Sequence, residues 1–130
     1  MIKICLIGAS GKMGRAVIEE ANNHNDIEIT NFIVHEKSEA LNSDVGKFHF
    51  EEANNKIFEA SINHDFDCII DFATREKVEE RIRLYARLKR PVLFCTTGLK
   101  SNELEGIKNL SIEMPIFMAP NTSLSLIHIS

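Results

Sequence analysis

Seven residues near the amino terminus, Gly8-Ala9-Ser10-Gly11-Lys12-Met13-Gly14, carry the strongest chemical signal in the sequence. Their glycines are spaced G-x-x-G-x-x-G. Such a turn lets a chain leave a strand sharply, brings backbone close to a pyrophosphate, and packs the next helix against the sheet. Free N–H groups at the helix start then hold phosphate without any charged side chain. A Gly-rich turn alone is weak evidence. Here it directly follows an apolar run, Ile2 to Ile7, and directly precedes an amphipathic segment, and that context predicts dinucleotide binding over a purely structural turn. A P-loop is disfavoured, because no Gly-Lys-Ser/Thr follows at the needed spacing.

Dinucleotide sites usually place an acidic residue roughly 20 residues further on, against the adenosine ribose. Counting from Gly14 lands on Val34 and His35, followed by Glu36 and Lys37. The Val34 side chain has no hydrogen bond to give. His35 and Lys37 could meet a 2′-phosphate, and Glu36 could reach the ribose if the strand end is shifted. The choice between NADH and NADPH stays open. Three more segments fall at the carboxyl ends of expected strands, where ligands of such sheets sit: Asp71-Phe72-Ala73-Thr74, Cys95-Thr96-Thr97-Gly98 and Ala119-Pro120-Asn121-Thr122-Ser123. Their small, hydroxyl and amide side chains can position a nicotinamide carboxamide or a carboxylated substrate without a competing charge.

The elements that must position these residues alternate from the start. Ile2 to Ile7 reads as a buried strand, and the helix after the turn sets Met13, Val17 and Ala21 on one face. Asn22 to Asp26 breaks it. Ile27 to Val34 is a second strand, with Ile27, Ile29 and Asn31 expected on one side. Residues 35–66 are the least legible; Ser43 to Gly46 reads as a turn and Lys56 to Ile62 as a short strand or helix. Asp67 to Phe72 is a clear strand, with Thr74 expected to cap the following helix, whose apolar positions are Val78, Ile82, Tyr85 and Leu88. Pro91 to Cys95 is a strand, Ser101 an expected cap for a helix to about Leu110, and Pro115 to Met118 a last strand. This order predicts an α/β fold, a doubly wound parallel sheet with right-handed crossovers and helices on both faces.

Composition sets the outer limits. The chain has 130 residues, 44% apolar and 26% charged, which suits one soluble globular domain. A net charge of -4 argues against attraction to a nucleic-acid backbone. Cys5, Cys68 and Cys95 are scattered among apolar neighbours with no Cys-x-x-Cys pair, so neither zinc nor a dithiol site has support, and a reducing compartment is expected. No segment reads as a signal peptide or membrane span, and a cytoplasmic location is expected. The expected division is one dinucleotide-binding domain, 1–125, and an atypical tail, 126–130, read as a truncation or cloning scar.

Taken together, these segments resemble dihydrodipicolinate reductase, a nicotinamide-dependent enzyme of the diaminopimelate route to lysine. Gly8 to Gly14 is similar to the family's Gly-Ala-x-Gly-Arg/Lys-Met-Gly turn, Ile70-Asp71-Phe72 to its Val/Ile-Asp-Phe strand end, Thr96-Thr97-Gly98 to its Gly-Thr-Thr-Gly turn, and Ala119-Pro120-Asn121-x-Ser123 to its Ala-Pro-Asn-x-Ser segment. The resemblance implies a Rossmann-like fold and an NAD(P)H cofactor. Gly8, Ala9, Ser10, Gly11, Lys12 and Met13 would hold the pyrophosphate. Val34 would be the ribose position and His35 the 2′-phosphate contact. Cys95, Thr96 and Thr97 would lie along the nicotinamide, and Ala119, Pro120, Asn121 and Thr122 would border nicotinamide and substrate.

Departures from the family pattern are local. Val34 stands where an acidic residue is usual, Cys95 for a Gly, Ala73 for a hydroxyl residue, and Ser125 for a Gly. The resemblance also implies a second domain for substrate binding and tetramer contacts, with a His-His-x-x-x-Lys region and a Ser-Gly-Thr motif that these 130 residues lack. No catalytic residue is therefore assigned, the five histidines read as solvated, and the chain alone is expected to be inactive. The substrate implied is a small dicarboxylate derived from 4-hydroxy-tetrahydrodipicolinate, in a full-length homotetramer. The alternatives are the cofactor domain of an aspartate-semialdehyde or homoserine dehydrogenase, and a non-enzymatic nucleotide-sensing module.

Overall fold

A computed structural model describes residues 1–96 and 98–119. The chain runs β1 (Ile2–Ile7), α1 (Lys12–Ala21), β2 (Ile27–Ile33), α2 (Val45–Phe50), β3 (Phe58–Glu59), β4 (Cys68–Asp71), α3 (Val78–Leu88), β5 (Val92–Phe94), α4 (Ser101–Leu110) and β6 (Ile116–Met118). All neighbouring strands are parallel, in the order β3-β2-β1-β4-β5-β6. Strand order reverses between β1 and β4, the place where doubly wound sheets open a crevice at their carboxyl ends. The predicted fold class is the observed one.

Alternation along β1 builds two cores. Ile4 and Leu6 pack with Val17 and Ile18 of α1 and Val45 of α2. Cys5 and Ile7 pack with Val78 and Tyr85 of α3 and Ile107 and Leu110 of α4. Helices therefore cover both faces. The face that α1 buries is Gly14, Val17 and Ile18, with Ala21 packed beside it; Met13, expected on the same face as Val17 and Ala21, is only half-buried.

β2 departs from simple alternation. Ile4 pairs with Ile29 but Cys5 pairs with Asn31, so Thr30 is an extra residue in β2. One inserted residue exchanges the two faces of everything after it. Phe32 and Val34 thus join Ile29 in the α1 core, and Ile33 joins the other. Asn31 does not continue the Ile27–Ile29 side as expected. It is fully buried, and its amide accepts from the Asn63 and His64 backbone N–H groups (3.1 and 3.0 Å) and donates to the His64 carbonyl (2.9 Å). The loop before β4 is pinned by this one side chain.

Three local expectations are corrected. Thr74 is not a helix cap: α3 begins at Val78 with Lys77 before it in the left-handed region, and residues 72–77 stay a loop because Arg81 draws in the Thr74 and Glu76 carbonyls, each at 2.8 Å. Ser101 is the first residue of α4, not its cap. Lys100 takes the cap position, where the Glu103 carboxylate accepts its backbone N–H at 2.7 Å. Ser43 to Gly46 is more than a turn, since Asp44 caps α2 by accepting from the Lys47 amide at 2.9 Å. Within Lys56 to Ile62, the strand alternative is the observed one, as β3. Among the described residues no helix is long and apolar enough to cross a membrane.

Candidate functional site

The three glycines of the first turn are constrained differently. Gly8 has φ +81°, and a Cβ there would lie 2.8 Å from the Ala73 nitrogen and 2.9 Å from the Phe72 carbonyl carbon. A Cβ on Gly14 would lie 2.6 Å from the Ala9 oxygen. The fold itself requires glycine at both. Gly11 has φ -79°, and a Cβ there would meet only the Gly8 oxygen, at an ordinary 3.7 Å. Among the described residues no atom requires glycine at this position.

Gly11 is also the cap residue of α1, and no side chain caps that helix. The first α1 amide with a helical acceptor is that of Arg15, which donates to the Gly11 carbonyl at 2.9 Å. The amides of Lys12, Met13 and Gly14 precede it and have no intrahelical partner, as in any first turn. The helix also has no acidic residue in that turn to oppose an anion.

A cavity of about 860 Å³ opens at this point. Gly8, Ser10 and Gly11 form one border, residues 33–36 a second, and residues 72–74 a third. The rest of its lining joins apolar Ile62, Leu84 and Leu88 with the charged Lys77, Glu80 and Arg81. Residues 72–74 lie at the ligand edge where the sequence places them, whereas residues 60–62 and the α3 side of the cavity were not assigned to the site from sequence. The 60–62 segment carried no motif, and β3, which leads into it, has only two residues and leaves almost no periodic signal.

The remaining expected residues are placed as follows. Val34 borders the cavity but its side chain is 5% exposed and belongs to the core. His35 is exposed; its Nδ1 accepts from the Lys37 amide at 3.0 Å, which leaves the proton of a neutral ring on Nε2. Glu36 also borders the cavity. Ala9 is fully buried, Lys12 exposed and Met13 half-buried on the first turn of α1. Cys95 is buried with its thiol in the core, pushed up to about 12 by burial and then by the Asp71 carboxylate. Thr96 is buried and donates to the Ala73 carbonyl at 2.9 Å, tying the ends of β4 and β5 together. Ala119 closes β6 by donating to the Phe94 carbonyl at 2.9 Å. Thr97, Pro120, Asn121, Thr122 and the tail 126–130 lie outside the described residues.

Asp71 organises the loop beside this cavity. Its carboxylate is fully buried at the end of β4, accepting from Arg81 Nε (2.8 Å), Tyr85 hydroxyl (2.6 Å) and the Ala73 amide (2.9 Å). Burial, then that carboxylate, hold the Tyr85 phenol well above its ordinary value. Arg81 and Tyr85 carried no functional expectation, since Tyr85 fitted the apolar face of α3. The available signal was an acid closing an apolar strand, because a buried carboxylate demands donors. Among the described residues no group of histidines, cysteines and acids could hold a metal ion.

A family model described as dihydrodipicolinate reductase, N-terminus, matches residues 2–122. A 4-hydroxy-tetrahydrodipicolinate reductase of Clostridium botulinum (strain Eklund 17B / Type B) is 31% identical over 128 residues, 97% of this chain and 46% of that protein. One of Desulfotalea psychrophila is 33% identical over 126 residues, 95% of this chain and 47% of that protein. The chain spans about half the length of the curated relatives it matches. Among solved structures, a dipicolinate-bound dihydrodipicolinate reductase from Paenisporosarcina sp. TG-14 is similar in fold (TM-score 0.69, 20% identity, 93% of this chain and 48% of that one). An aspartate semialdehyde dehydrogenase with NADP from Candida albicans is also similar in fold (TM-score 0.63, 10% identity, 91% of this chain and 42% of that one).

Proposed function

The chain belongs to the dihydrodipicolinate reductase family through its N-terminal domain, and from that premise we propose that it is the half of a reductase that holds NADH or NADPH for reduction of a 4-hydroxy-tetrahydrodipicolinate-derived substrate. Gly11 is the observation that carries the proposal. It is a glycine whose missing side chain leaves room that no atom of the described residues fills, at a helix start with no side-chain cap among them, on the rim of a cavity. A pyrophosphate fits that gap, because exposed amides complement its charge and a Cβ would collide with it. The family match favours this reading over an aspartate-semialdehyde or homoserine enzyme, since the dehydrogenase likeness rests on fold alone.

Gly8 to Met13 would hold the pyrophosphate, and Val34 and His35 would flank the adenosine ribose. With no carboxylate at Val34, the His35 Nε2–H and Lys37 leave room for a 2′-phosphate, and both cofactors stay within the proposal. Cys95 to Thr97 and Ala119 to Thr122 would border the nicotinamide. The bound nicotinamide supplies the hydride. The chain's own part is to orient the dinucleotide and keep water from it. Substrate binding and proton delivery would come from a second domain, within a cytoplasmic homotetramer.

Calorimetric titration of the 130-residue chain with NADH and with NADPH tests the reading. Saturable binding of at least one is expected, with negligible turnover. Gly11→Val should fold normally yet bind neither. Absence of heat with both cofactors at millimolar concentration would overturn the proposal, as would unchanged affinity in folded Gly11→Val.

A further inference from the structure

His49 lies on α2 and is not among the residues that border the cavity, yet its ring is tied to the Gly-rich turn. Its Nε2 is 2.8 Å from the Ala9 carbonyl oxygen. A carbonyl only accepts, so Nε2 carries a proton and donates it. The ring is held edgewise by Phe48 and Phe58, with centroids 5.0 and 5.7 Å away. Arg15 of α1 secures the same point of α2: its Nε donates to the His49 carbonyl at 3.2 Å, and its guanidinium lies 4.9 Å over the Phe50 ring.

The consequence passes through one peptide unit. The Ala9–Ser10 bond is trans, and a planar trans peptide points its C=O and N–H in opposite directions. Drawing the Ala9 oxygen toward α2 turns the Ser10 N–H away from α2, and Ser10 is itself one of the residues that border the cavity. The other amides of the turn are committed. Those of Gly8 and Ala9 both donate to the Ile33 carbonyl (2.9 and 3.0 Å), and that of Gly11 donates to the Gly8 carbonyl at 3.3 Å. From Gly8 to Gly11, the Ser10 amide alone has no acceptor among the described residues.

We propose that His49 is a positioning residue for the phosphate-binding turn: its bond to the Ala9 carbonyl aims the Ser10 amide at the pyrophosphate. This rests on the dinucleotide reading above and adds to it a residue from the second β–α unit that touches no ligand.

The test uses the 130-residue chain with NADPH and, as a probe lacking pyrophosphate, adenosine 2′-monophosphate, followed by nitrogen-labelled NMR. His49→Phe keeps an aromatic ring without the donor, whereas His49→Gln returns an N–H at a similar reach. His49→Phe is expected to weaken NADPH about tenfold, the loss of one hydrogen bond to a charged group. Adenosine 2′-monophosphate should bind as before, and His49→Gln should recover most of the NADPH affinity. In the unaltered chain, the Ser10 amide signal should move with NADPH and stay still with the monophosphate. Unchanged NADPH affinity in folded His49→Phe overturns the inference. Equal weakening of both ligands also overturns it, as does a Gln variant no better than Phe. Should His49→Phe fail to fold, a Ser10 signal unmoved by saturating NADPH overturns it on the unaltered chain. If that chain binds neither NADPH nor NADH, it is the cofactor reading that fails.

Discussion

A carboxylate wholly removed from water needs its donors in place, and among the described residues Asp71 has four: the Ala73 amide, Arg81, the Tyr85 hydroxyl and, at 3.5 Å, the Thr96 hydroxyl. Its value to the site is indirect. The Arg81 guanidinium it anchors also gathers the Thr74 and Glu76 carbonyls, so one buried charge shapes the loop at the cavity's third border. Asp71→Ala would leave the Nε of Arg81, a side chain 15% exposed, and the Tyr85 hydroxyl without the carboxylate that accepts from both. The expected loss is about 3 kcal/mol of folding free energy, the low end for breaking a buried ion pair from one side. Urea unfolding measures it, and a loss under about 1 kcal/mol would mean that the pair behaves like a solvent-screened one.

At the scale of elements, α2 is short and depends on its cap. Six residues cannot hold a helix by propensity. Asp44 compensates by accepting from Lys47 through one oxygen (2.9 Å), which also takes the Asn54 amide (3.1 Å), while the other takes the Asn55 amide (2.9 Å). These backbone donors, Lys47 first, hold its carboxyl below the ordinary value of 3.8. A lowered folded-state value means stabilisation present above 3.8 and lost as pH falls through the folded value. The Lys47 and Asn55 amide signals should therefore shift on acidification below 3.8, with the His49 brace loosening alongside. An Asp44→Ala chain should show that shifted state already at neutral pH. Amide positions in Asp44→Ala that match the unaltered chain would remove the cap from this account.

At the scale of the whole molecule, the cavity touches both halves of the sheet. It meets the turn after β1, the end of β2 and the end of β4, and it reaches across to α3. A ligand there would join the two cores that β1 separates. A dinucleotide at one hundred times its dissociation constant should raise unfolding free energy by about 2.7 kcal/mol. Thermal melts with and without cofactor read this directly. A transition unmoved at saturation would mean that binding does not favour the folded state.

Local chemistry made much of this protein readable from its sequence. Apolar runs bounded by turn residues marked β1, β4 and β5, and Val78, Ile82, Tyr85 and Leu88 marked α3, because periodicity is a property of the chain alone. The Gly8 to Gly14 spacing, placed between a strand and a helix, identified the turn, and with the Ile70 to Phe72, Thr96 to Gly98 and Ala119 to Ser123 segments it pointed to the family. Other features existed only after distant segments met. The extra Thr30 that reverses the faces of β2, the two-residue β3, the 60–62 wall, the Asp71–Arg81–Tyr85 network and the His49 bond to Ala9 all link residues far apart in sequence or depend on a partner strand. A side chain's type states what it can bond, while only the folded chain decides which of its possible partners comes within reach.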